Sequence, residues 1–196
     1  TAYDEAIKLN PKNVEALTGR AVIRVRNGRL KEAAGDAEKL RQSQISHAGA
    51  YYVDALLHYA NQQPTRAAEA VEQLQKVYPA YAPGWLLAAH VYYDLGSLAQ
   101  AEQYLRRYLA ARPDDQSASR LSARILMRTE RSTEAVKLLT SAIKLHPENQ
   151  ELYALLGQAH MSLRNYKQAS IALERALSIN PANIAVQTQL GGSYLA

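Results

Sequence analysis

Residues 150–183 read QELYALLGQAHMSLRNYKQASIALERALSINPAN, and this stretch decides the fold. Its first half carries Tyr153, Leu156 and Gly157, its second half carries Ala169 and Ala176, and Pro181 closes it. The closing proline recurs. Pro79, Pro113, Pro147 and Pro181 stand 34 residues apart, and Pro11 precedes Pro79 by 68, which is two such steps. Ile45 occupies the skipped place, and the phase survives it. Ala33, Ala67, Ala101, Ala135 and Ala169 repeat at the same interval without a gap. A fixed period of this length marks stacked copies of one supersecondary unit. With the proline set at position 32, full units occupy 14–47, 48–81, 82–115, 116–149 and 150–183. Residues 1–13 supply an earlier second half and residues 184–196 a later first half, so the sequence is expected to be an excerpt of a longer repeat array.

The spacing within a unit predicts two helices joined by a tight turn. Apolar residues such as Ala135, Leu138, Leu139, Ala142 and Ile143 recur at helical intervals and build one apolar face. The small residue at position 20 lets the second helix (B) approach the first (A), and Gly157 and Gly191 at position 8 do so from the other side. Asn27–Gly28 and Leu95–Gly96 supply a turn where positive φ is convenient. Pro at position 32 stops helix B, because it donates no backbone N–H and disfavours a helical predecessor. Asn13, Asp114, Asn149 and Asn183 are then expected to cap the next helix A. The second unit is the least regular, with Ile45–Ser46–His47 at the proline stop and Pro64 opening its helix B. A local change of pitch is expected there.

Composition bounds the chemistry. The 196 residues include 47% hydrophobic ones, enough for a sizeable core, and few Gly and Pro. Cysteine is absent, which excludes disulfides, thiolate zinc sites and thiol nucleophiles but says nothing of the compartment. Phe is absent too, and 13 Tyr supply most of the aromatic surface. A net charge of +5 permits an anionic partner without requiring one. No apolar run is long enough to span a membrane. Metalloprotease, phosphate-loop, dinucleotide and nucleophile-elbow motifs are all missing. The histidines are scattered, His58 and His160 at position 11 read as packing residues, and Asp114–Asp115 suits a helix start. No catalytic constellation, metal site or cofactor is expected, and hence no enzyme.

The period and the aromatic, Leu-Gly, Tyr, Ala, Pro pattern resemble the tetratricopeptide repeat. That resemblance implies an all-α solenoid of about twelve helices in a right-handed superhelix, with a concave groove lined by A helices. In the family, positions 2, 5, 9, 12 and 13 of helix A face the groove. Carried over, they nominate Tyr52, Leu56 and Tyr59; then Leu86, His90, Tyr93 and Asp94; then Arg120, Arg124, Met127 and Arg128; then Ala154, Gln158 and Met161. Arg120, Arg124 and Arg128 recur every four residues, and such like charges repel unless an anion or acid answers them. Asp94 or Glu130 is the candidate acid. The family's clamp for chaperone tails wants Lys and Asn where this chain has Leu86 and His90, or Arg120 and Arg124, which argues against a chaperone adaptor.

Further stretches, among them Ala50–Tyr51–Tyr52–Val53–Asp54–Ala55–Leu56, Tyr78–Pro79–Ala80–Tyr81–Ala82–Pro83 and Gln100–Ala101–Glu102–Gln103–Tyr104–Leu105, resemble the repeat lipoproteins of the bacterial PEP-CTERM/exosortase system. So do Ser119–Arg120–Leu121–Ser122–Ala123 and Gln187–Thr188–Gln189–Leu190–Gly191. That resemblance implies an extracytoplasmic, lipid-anchored scaffold, with a cytoplasmic location left open. The expected activity is binding of an extended peptide or protein in the groove. The alternative is an anionic polysaccharide held by Tyr and Arg side chains. Nucleic acid is the weaker case, because the positive charge is spread out and interrupted by acids.

Overall fold

The computed structural model describes residues 1–43 and 47–195. Among the described residues there are twelve helices and no strand. Six are A helices: α2 (Val14–Arg26), α4 (Ala48–Ala60), α6 (Ala82–Asp94), α8 (Gln116–Arg128), α10 (Gln150–Ser162) and α12 (Ile184–Leu195). Six are B helices: α1 (Ala2–Leu9), α3 (Leu30–Gln42), α5 (Pro64–Val77), α7 (Leu98–Ala111), α9 (Ser132–Leu145) and α11 (Tyr166–Ile179). The A helices α2, α4, α6, α8 and α10 begin where the 34-residue phase starts each unit.

Helix ends follow local chemistry. α1, α5, α7, α9 and α11 each stop two residues before a proline. Pro64 occupies the first turn of α5, where its missing N–H costs nothing. The Ile45–Ser46 part of the irregular stop lies outside the described residues. Asn13, Asn149 and Asn183 accept from Ala16 N, Leu152 N and Val186 N, as N-caps should. Asp114 does not cap α8. Asp115 does, accepting from Ala118 N at 2.9 Å, because position 34, not 33, adjoins the helix. His47 stands at that same position and caps α4, its Nδ1 accepting from Gly49 N at 3.0 Å.

The turn between A and B helices uses one conformation throughout. Gly28 and Gly96 have φ of 72° and 77°, while Gln62, Glu130 and Arg164, at the same position, have 58°, 59° and 56°. Three side chains therefore sit in the left-handed region that favours glycine.

The chain forms two compact units, Thr1–Tyr104 and Leu105–Ala196. In the first, α2 packs on α3 and α4, and α4 packs on α5 and α6. Its core gathers Ile7, Val14, Leu17, Ala21, Leu40 and Val53. In the second, α8 packs on α9 and α10, and α10 on α9 and α11, around Leu126, Leu139, Leu152 and Leu155. Each fully buried Leu contributes about 2 kcal/mol. Position 20 is alanine in all five full repeats and fully buried in each. Position 8 holds buried Ala21, Ala55, Ala89 and Ala123, then Gly157. A Cβ at Gly157 would lie 2.6 Å from Leu173 Cγ, so α11 seats on bare backbone there. At Gly191 a Cβ would meet nothing among the described residues.

Candidate functional site

On α4, Tyr52, Leu56 and Tyr59 are spaced to form a stripe along one face, and all three are half-buried. Tyr52 meets the ring of Tyr81 edge-on at 5.6 Å between centroids. Burial pushes the Tyr52 phenol up, and Tyr81 adds to this, while the charge of Arg26 pulls the other way. Seven residues further along, Tyr59 donates its hydroxyl to Asp94 Oδ2 at 2.8 Å and lies 6.3 Å from the ring of His90. Burial first, and then Asp94, hold the Tyr59 phenol well above its ordinary range, so it stays a donor at any working pH. Tyr59, Gln62, Pro64 and Asp94 line a hollow of about 400 Å³. Tyr93 is half-buried beside them and Asp94 is exposed.

The first unit thus brings Tyr52, Tyr59, His90 and Asp94 into one aromatic, lightly charged face. Tyr81 belongs to it and was not expected. Its signal was position 34, the place where the other units keep a cap.

In the second unit the arginines of α8 have separate fates. Arg120 pairs with Glu151 of α10, so its acid comes from the following A helix rather than from Asp94 or Glu130. Arg124 and Arg128 are exposed, and Met127 packs against the core. The three cations therefore do not form one open stripe.

Elsewhere the polar groups serve structure. Asp36 is 1% exposed and accepts from Arg20 at 2.6 and 3.1 Å and from Arg24 at 2.6 Å. Tyr92 stacks on Tyr104 at 5.7 Å, with 4° between the rings, and donates to Glu72. His146 bridges Gln116 and the Asp114 carbonyl, tying the end of α9 to the start of α8. His58 Nδ1 lies 2.9 Å from Gln63 Oε1. Among the described residues no group of three His, Asp or Glu side chains could hold a metal ion, and no helix is long and apolar enough to cross a membrane.

Comparison with known proteins agrees with this architecture. Tetratricopeptide repeat models match residues 1–45, 58–125 and 126–196. A TPR repeat-containing protein of Methanocaldococcus jannaschii is 24% identical over 152 residues, and the chain spans 27% of that protein's length. Among solved structures, YrrB, described as a TPR protein with an unusual peptide-binding site, superposes with a TM-score of 0.73 at 18% identity, covering 96% of this chain and 97% of that one. Cut9–Hcn1 of the APC/C gives 0.79 at 16% identity, covering 98% of this chain and 38% of that one. MamA of Desulfovibrio magneticus gives 0.74 at 16% identity, covering 87% and 97%. These likenesses concern the fold. With repeat models matched along most of its length and helices in the 34-residue phase, the chain belongs to the tetratricopeptide repeat family, whose fold generally mediates protein–protein interaction.

Proposed function

We propose that the chain is an interaction scaffold that holds an extended peptide against the tyrosine-lined A-helix face of its first unit. The observation that carries this is the Tyr52–Tyr81 and Tyr59–His90–Asp94 constellation. Partly exposed rings offer large contact area at little entropic cost, and their hydroxyls can bond a peptide backbone. YrrB, a protein of the same fold, is described as having a peptide-binding site.

Peptides selected from a random library against the chain test the proposal. Tyr52→Ala or Tyr59→Ala should weaken the selected peptides about tenfold or more, the range of a buried aromatic anchor. Glu69→Ala on α5 should leave them unchanged. Equal binding by all three variants would remove this face from consideration.

A second ligand, an anionic polysaccharide, is favoured by the exposure of Arg124 on α8. Replacing Arg124 and Arg128 with Glu should then abolish retention on an acidic glycan while leaving peptide binding intact. A role in bacterial surface sorting or polysaccharide export, outside the cytoplasm, is supported by the sequence stretches quoted above. Fractionation of cells producing the full-length protein tests it: recovery in the cytosol would contradict it.

A further inference from the structure

The last residues of α2, α4 and α6 are Arg26, Ala60 and Asp94, which occupy the same register position on three successive A helices. α4 packs against both α2 and α6, so these residues run as a row along the tyrosine face. The row is positive at one end, neutral in the middle and negative at the other.

Asp94 is the informative member. A helix C-terminus carries a partial negative charge that favours cations and opposes carboxylates. Arg26 suits its place and Asp94 opposes it, with no basic residue in the last turn of α6 to compensate. The Tyr59 hydroxyl bonds one carboxylate oxygen, and Asp94 is otherwise exposed beside a hollow. A carboxylate set against its helix dipole and open to solvent is a place for an incoming cation. At the other end Arg26 is exposed, and its charge reaches the Tyr52 phenol, so it belongs to the same face.

We infer, resting on the peptide-binding proposal above, that this face is polarised: it takes an extended apolar segment with an acidic residue at the Arg26 end and a basic residue at the Asp94 end. Packed helices lie about 8–10 Å apart, so two steps from α2 to α6 span roughly 16–20 Å. An extended chain covers that in about five or six residues. Between the charges lies α4, whose half-buried Leu56 and Tyr59 favour apolar or aromatic side chains.

The probes are five synthetic decapeptides with one Leu/Tyr centre and two flanking positions six residues apart. Those positions hold Glu and Arg, Glu and Glu, Arg and Arg, or Gln and Gln, with the mixed pair made in both orders. One mixed peptide should bind tightest and lose affinity with added salt, while the Gln peptide should be indifferent to salt. Arg26→Gln should weaken Glu-bearing peptides about threefold to fivefold, and Asp94→Asn the Arg-bearing ones by as much, the scale of exposed ion pairs. Neither variant should alter the Gln peptide. If all peptides bind alike and neither variant matters, while Tyr52→Ala weakens every one, the polarity is refuted and the peptide face stands. If Tyr52→Ala matters to none, the face itself falls and the polarity with it.

Discussion

In the first repeat the contact between helices A and B is built from Arg20, Arg24 and Asp36. In the fourth repeat the same three places hold Ser122, Leu126 and Leu138. The first version is ionic and buried: Asp36 is 1% exposed, and the arginine side chains are 14% and 18% exposed. Asp4 and Glu32 take remaining donors of Arg20 and Arg24. The fourth version is apolar, with Leu126 and Leu138 in one cluster with Leu139. The third repeat solves the same contact with the Tyr92–Tyr104 stack. One helical frame accepts all three chemistries, provided each is complete within itself. Position 20 shows no such latitude: it is a fully buried alanine in each of the five full repeats.

The largest effect should come from breaking the ionic version. Asp36→Ala leaves two shielded guanidiniums without their shared carboxylate and should cost about 3–5 kcal/mol, read from the urea midpoint. Arg20→Ser, Arg24→Leu and Asp36→Leu together install the fourth repeat's residues, and should be neutral or stabilising by about 1–4 kcal/mol. A loss on the scale of Asp36→Ala from the triple replacement would break the equivalence of the two versions.

A pH titration sharpens the comparison at one position. Where the first repeat has Arg24 and the fourth Leu126, the fifth has His160. Its Nδ1 is buried and has no hydrogen-bond partner among the described residues, and burial lowers its pKa from 6.5. A folded value below the unfolded one means that folding favours the neutral ring. That contribution is complete above about pH 6.5 and is lost as pH falls through the folded value. His160→Leu should therefore gain on the wild type as pH drops from 7 to 5. A stability difference independent of pH would contradict this.

The smallest effect lies in the turns. Gln62→Gly and Glu130→Gly should each raise stability by about 0.5–1 kcal/mol, since the relief of left-handed strain outweighs glycine's entropy. Gly96→Ala should lower it by a similar amount. A thermal melt in which both glycine replacements destabilise would show that the side chains of Gln62 and Glu130 earn their place by contacts instead.

The helix starts were legible because proline, cap and small-residue positions act locally and repeat in phase. The caps were legible to within one residue: Asp115 rather than Asp114 reaches Ala118 N. His47 escaped notice as a cap because its imidazole does the work usually left to Asn or Asp. Candidate residues of the binding face came from the groove-facing positions that the family resemblance implies, laid onto this chain by its phase, but their partners did not. Tyr81 against Tyr52, Asp94 under Tyr59 and Glu151 on Arg120 are set by side-chain directions between neighbouring repeats, which a period does not encode. The left-handed Gln62, Glu130 and Arg164 were equally hidden, since only Gly28 and Gly96 advertise that conformation.

The central claim, a peptide face on α4 and α6, is tested most directly by nuclear magnetic resonance mapping on the isotope-labelled chain. Titration with a selected peptide should shift and broaden signals of Tyr52, Leu56, Tyr59, His90 and Tyr93 together, with one dissociation constant. Shifts confined to α5 or α8, with those five signals unmoved, would contradict it.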